Sequence, residues 1–165
     1  MDGIDVLGAL KSGGYSVFSG VPCSWLGSFP HESCSDPDVV SLSATREDLA
    51  VGFAAGCSLA GRSAVLYMQN SGFVSCLNAL FSLAVPCRLP LLFMVTMRGS
   101  GCADSPEHDL LGDTFLDILE SSRIPYLSPH ADGLSSFDFR LSRAMSRLEN
   151  ADSPLVLCIR QGDIT

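Results

Sequence analysis

Glu47 stands near the head of the stretch TREDLAVGFAAGCSLAGRSAVLYMQNSGF, where Arg46, Glu47 and Asp48 lie side by side and Arg62 is the next formal charge before Phe73. A carboxylate in the first turn of a helix made of small residues is drawn two ways. The helix N-terminus favours its ionised form, while burial raises its pKa. A carboxyl balanced between these effects can hold or share a proton. A plainer reading is also open at this point. First-turn acids are common, and Glu47 or Asp48 could simply complement the helix dipole at the surface.

The supply of other reactive groups narrows the chemistry. A Schiff-base enzyme needs a buried lysine, and the single lysine, Lys11, falls on an amphipathic N-terminal segment. The phosphate loop GxxxxGK[ST], the dinucleotide turn GxGxxG and the nucleophile elbow GxSxG are absent. His31, His108 and His130 are too dispersed for a metal cluster, so no metal site is expected within the chain. Asp109, Asp113 and Asp117 share one helical face without a glycine turn, the pattern of a solvated acidic stripe. A net charge of −8 argues against binding nucleic acid, which depends on clustered Lys and Arg.

The seven cysteines (23, 34, 57, 76, 87, 102 and 158) are scattered, odd in number and without a CxxC pair, as in a reducing, cytoplasmic protein. The start, MDGIDVLGALKSGG, lacks the basic and apolar regions of a signal peptide. The longest apolar stretch, Leu89 to Met97, is nine residues, about half of a membrane-spanning helix. No membrane association is expected. Only 17% of residues are charged against 47% hydrophobic, which suggests a surface partly covered by other protein.

The elements that must position these groups follow an alternation. Helical patterns cover Ile4 to Leu10, Glu47 to Leu59, Val74 to Val85, Asp109 to Ser121 and Ser135 to Leu148. Strand patterns cover Tyr15 to Phe18, Val39 to Leu42, Ala64 to Met68, Pro90 to Met97, Pro125 to Leu127 and Leu155 to Ile159. Short apolar runs between helices predict an α/β fold: one domain over residues 1–165, an open, mainly parallel six-stranded sheet with helices on both faces. Ligands of such sheets bind at the loops after the carboxyl ends of the strands. Those loops are Gly20 to Leu26, Ala44 to Asp48, Gln69 to Phe73 and Arg98 to His108.

Taken in order, GVPCSWL (20–26), ATREDLAVGFAAG (44–56), VLYMQNSG (65–72), PLLFMVTMRG (90–99) and SPEHDLLG (105–112) resemble the pyrimidine-binding domain of thiamine diphosphate-dependent 2-oxo acid decarboxylases. Within that family the pattern is similar to phosphonopyruvate decarboxylase and to the alpha subunit of sulfopyruvate decarboxylase. The resemblance implies that Glu47 hydrogen-bonds N1′ of the cofactor's aminopyrimidine ring and so activates it. It also implies that Gln69, Asn70, Ser71 and Gly72 form the turn that approaches the cofactor, where a glycine permits close backbone approach. Asn70 or Ser71 could equally cap the following helix.

Pro22, Cys23 and Ser24 resemble a substrate-side loop, although a small buried thiol also accounts for Cys23, and Trp25 reads as packing. Arg98 could grip a phosphonate, sulfonate or carboxylate, or pair with Glu107 or Asp104. His108 fits the family's PQH segment and could transfer a proton. Here the segment reads PEH, so Glu107 replaces an amide, and Arg46 stands where a neutral residue is usual.

The family holds the cofactor's diphosphate through Mg2+ bound by a GDG motif and a later asparagine, and no GDG occurs in this sequence. The resemblance therefore implies a separate beta subunit that carries the diphosphate and Mg2+ site, in a hetero-oligomer such as α2β2. The implied reaction is decarboxylation of 3-sulfopyruvate or 3-phosphonopyruvate. Transfer of the acyl group to form an acyloin, and a non-catalytic regulatory module of the same fold, are the alternatives.

Overall fold

The computed structural model describes residues 1–101, 104–129 and 136–165. Cys102, His130 and the expected helix start at Ser135 lie outside the described residues. Six strands, β1 (Tyr15–Gly20), β2 (Val40–Ser43), β3 (Ser63–Gln69), β4 (Leu92–Thr96), β5 (Tyr126–Leu127) and β6 (Leu155–Ile159), form one sheet in the order β2-β1-β3-β4-β6-β5. Every pairing is parallel, so the sheet expected to be mainly parallel is wholly so. All residues of β4 and β6 are buried, which is why both read as unbroken apolar runs.

The described helices are α1 (Gly3–Ser12), α2 (Phe29–Ser35), α3 (Glu47–Leu59), α4 (Asn70–Ser75), α5 (Leu77–Ala79), α6 (Asp109–Ser121) and α7 (Phe137–Leu148). One core lies between the sheet and α1, α2 and α7, where Phe29 meets Phe18 and Tyr67 edge-on at 5.9 and 5.7 Å. The other lies under α3, α4 and α6, where Phe73 meets Phe93 and Phe115 edge-on at 5.3 and 5.6 Å. The small residues of α3 divide by face. Ala50, Ala54 and Ala55 are buried in that core, while Gly52 and Gly56 face open space. No helix among the described residues is long and apolar enough to cross a membrane.

Two helical segments depart from the sequence expectation. The α2 helix was unexpected because its seven residues are too few to show a period. Its signal is local: Ser28 stands at the cap and Pro30 in the first turn. The helix expected over Val74 to Val85 begins instead at Asn70, directly after β3. It breaks at Cys76 and ends in a π-helical turn at Leu80–Ala84. The residues read as a turn before the helix are therefore its first turn. Because β1 leads to α2 on one face and β3 leads to α4 on the other, a crevice opens between their carboxyl ends.

Candidate active site

Glu47 is the first residue of α3, and Arg46 before it is extended, with φ −149° and ψ 149°. Arg46 turns away from Glu47 and toward Asp48, to which its Nε and Nη2 donate at 3.1 and 3.0 Å on the surface. Asp48 thus takes the surface role, and Glu47 is left without a hydrogen bond among the described residues. Its carboxyl lies against the backbone of Gly72. A Cβ built there would stand 2.4 Å from Glu47 Oε1 and 2.6 Å from Cδ. One turn along, the buried Cys76 thiol is pushed up to about 12, by burial first and then by the charges of Glu47 and Asp48.

The turns after β3 and β4 are tied together. Asn70 is fully buried; its Nδ2 donates to Arg98 O at 2.8 Å and its Oδ1 accepts from Ser71 N at 3.1 Å. Ser71 Oγ donates to Gln69 Oε1 at 3.3 Å. Arg98 takes one of the pairings left open by the sequence: Nε and Nη2 donate to Asp104 at 2.6 and 2.5 Å. Its guanidinium stacks 5.0 Å from the Trp25 ring centre, and Nη1 faces Cys23 Sγ at 3.9 Å. The bidentate bond from Arg98, with backbone N–H groups of Ser105 and Gly99, outweighs desolvation and holds Asp104 well below the usual carboxylate range.

Cys23 is buried where these turns meet the β1 loop. Burial pushes its thiol up, but hydrogen bonds from Thr96 at 3.5 Å, the Trp25 backbone, Arg98 and Gln69 bring it below its ordinary value. His108 closes the turn Pro106–His108, and its carbonyl packs on Gly99, whose φ is +76°. The His108 ring makes no hydrogen bond among the described residues. Asp109, Asp113 and Asp117 are exposed along α6, as the stripe pattern implied. Among the described residues, no cluster of three or more His, Cys, Asp or Glu could hold a metal ion.

The structure therefore joins Glu47 to Gly72, Asn70 to Arg98, and Cys23 to Arg98 and Thr96. Pro22 and Ser24 face outward and line an open cavity of about 520 Å³ with Cys23, with His31, which the sequence placed in no site, and with residues it did not single out, Ser43 and Tyr67 among them. The Glu47 carboxyl takes the space that a side chain at Gly72 would fill; with no hydrogen-bond partner among the described residues, it fits an acceptor for the edge of an aminopyrimidine ring.

Comparison with known proteins gives the geometry its context. No protein-family model matches the chain. It is 32% identical over 121 residues to sulfopyruvate decarboxylase subunit alpha of Methanococcus maripaludis, covering 73% of this chain and 72% of that one. The chain belongs to the sulfopyruvate decarboxylase alpha-subunit family. It is also 37% identical over 117 residues to phosphonopyruvate decarboxylase of Streptomyces viridochromogenes, where the match spans 70% of this chain but only 30% of that enzyme. The fold of 4-hydroxybenzoylformate decarboxylase from Rhodococcus jostii, a thiamine diphosphate-dependent enzyme, superposes with a TM-score of 0.68 at 17% identity. That match covers 99% of this chain and 31% of the larger one.

Proposed function

We propose that this chain is the pyrimidine-side half of a cytoplasmic, thiamine diphosphate-dependent decarboxylase acting on an anionic 2-oxo acid, 3-sulfopyruvate or 3-phosphonopyruvate. A beta subunit would hold the diphosphate and Mg2+, with the cofactor between the chains. The observation that carries this reading is Glu47, unpartnered and pressed on Gly72 at the carboxyl edge of the sheet. The subunit name of the Methanococcus relative supports the division between two chains.

When bound, the cofactor supplies a thiazolium that accepts the electron pair released as CO2 leaves. The work of this chain is placement and proton handling. Glu47, seated in the space that the absent side chain of Gly72 leaves for it, holds and returns the proton at N1′ of the pyrimidine. Asn70, buried and fixed to Arg98 O, ties the turns after β3 and β4 together beside it. Arg98, held by Asp104 and Trp25, steadies the loop that carries His108. His108 supplies the proton that takes the place of CO2 on the product carbon, so that 2-oxo acid and proton become aldehyde and CO2.

The test combines the chain with a candidate beta subunit, thiamine diphosphate and Mg2+, and measures CO2 and aldehyde from each substrate. Glu47→Gln should lower turnover by roughly 10²- to 10⁴-fold, the worth of a positioned proton-transfer group, without changing the melting temperature. Turnover retained in that variant would refute the mechanism.

A further inference from the structure

A second cavity, of about 480 Å³, opens at the amino end of the sheet, opposite the edge that carries Glu47. The starts of β1 and β3 form its floor, and the last turns of α1 and α7 form its walls. A Cβ on Gly13 would stand 2.8 Å from Met145 Sδ, so the glycine lets the two helix ends close around the space. Tyr15, the first residue of β1, lines the floor. It is 6% exposed, and its hydroxyl has no hydrogen-bond partner among the described residues. The oxygen is not sealed within the core, so it faces the cavity. Burial first, and then the charge of Glu149, pushes the phenol up to about 12, so it keeps its proton at neutral pH. A buried hydroxyl without a partner is unfavourable, and a polar ligand that bonds to it removes the penalty.

The charges around the cavity favour a cation. Glu149 is the C-cap of α7 and lines the cavity, and its carboxyl has no ion pair or hydrogen bond among the described residues. A carboxylate is disfavoured at a helix C-terminus, where the carbonyl ends attract positive charge. α1 ends at the same cavity, with Gly13 as its C-cap, and adds to that preference. Lys11, in the last turn of α1, is engaged by Asp36 and Asp38 at 2.6 and 3.3 Å, and no Lys, Arg or His lines the cavity. Ser12, Ser63, Ser142 and Ser146 surround it, and their hydroxyls make no hydrogen bond among the described residues. We propose that this cavity is a second ligand site, which binds a small hydroxylated organic amine about the size of an amino sugar. Its ammonium would sit on Glu149 and one of its hydroxyls on Tyr15. The site lies away from the crevice and does not rest on the decarboxylase reading.

The test titrates the full chain with glucosamine and with glucose, its uncharged counterpart, read by calorimetry or NMR. Glucosamine should bind saturably and at least about ten-fold more tightly than glucose. Glu149→Gln should weaken glucosamine by roughly ten-fold or more, the worth of a hydrogen bond to a charged group. The melting temperature of that variant should hold or rise, because the charge removed stands at a helix C-terminus. Tyr15→Phe should weaken glucosamine by roughly three- to ten-fold, the worth of a neutral hydrogen bond, without lowering the melting temperature. Glu47→Gln, at the opposite edge of the sheet, should bind glucosamine as wild type does. Absence of saturable binding, equal binding of the two sugars, or wild-type affinity in both cavity variants would each overturn the proposal. So would a melting temperature lowered by Tyr15→Phe, or binding lost in Glu47→Gln. Failure of decarboxylation by the assembled enzyme leaves this site standing, and failure of glucosamine to bind leaves the decarboxylase reading standing.

Discussion

Gly72→Ala is the sharpest perturbation of the proposed centre, because it adds one methyl group and no polar atom. That carbon would stand 2.4 Å from Glu47 Oε1, so the carboxyl must retreat by roughly 1 Å to reach ordinary contact. Folding should tolerate the change. Gly72 lies in α4 with an ordinary helical backbone, where alanine is favoured by up to about 1 kcal/mol. Glu47 is half-buried and unpartnered, so turning its side chain aside costs about 0.5–1.5 kcal/mol. These contributions nearly cancel, which for a domain of this size means a melting shift within about 2–4 °C. Cofactor activation should suffer far more, since a 1 Å misplacement of a catalytic group costs on the order of 100-fold. Thermal melts of the chain and CO2 release by the assembled enzyme read the two effects separately. Adding Gly72→Ala to Glu47→Gln should cost little further, because both act on one step. Wild-type turnover in Gly72→Ala, or a melting temperature lowered by more than about 10 °C, would refute the placement of Glu47.

Gly20→Ala should behave in the opposite way. Its Cβ would meet Tyr67 O at 1.9 Å inside a buried strand that cannot yield, so about 3 kcal/mol of stability is lost, read as a fall of roughly 6–12 °C in the melting temperature. The depressed pKa of Asp104 makes a signed prediction. Its contribution is complete above the unfolded carboxylate pKa of about 4 and is lost as pH falls through the lower folded value. Urea midpoints of wild type and Asp104→Asn should therefore differ at pH 7, and the gap should start to narrow only as pH falls below about 4; a gap that widens in acid would refute the pairing. Among thiols, Cys23 is shifted down while Cys76 and Cys158 are pushed up to about 12, by burial first in each of the latter. Alkylation of the native chain at pH 8, mapped by peptide mass, should mark Cys23 before either of them.

What could be read from the sequence followed the range of each interaction. The apolar runs of β3, β4 and β6 and the small-residue period of α3 are local, and they placed the sheet and the start of the helix that carries Glu47. The α2 helix offered too few residues for a period, and Asn70 to Gly72 carry turn-forming residues that here open a helix instead. Contacts across the fold could not be seen. Glu47 and Gly72 are brought together by separate crossovers, and nothing in either segment alone shows that their atoms touch. Arg98 had candidate partners within a few residues, and only the path of the loop decides for Asp104. Tyr67 read as one apolar residue of a strand.

The crevice between β1 and β3 has a mechanical consequence. The chain leaves those neighbouring strands toward opposite layers, α2 over one core and α4 over the other. A ligand seated there holds both layers at once, so neither can open while it stays bound. Occupancy should therefore slow amide hydrogen exchange in the two layers together and fuse them into a single cooperative unit. Without it, each layer is free to open at its own rate.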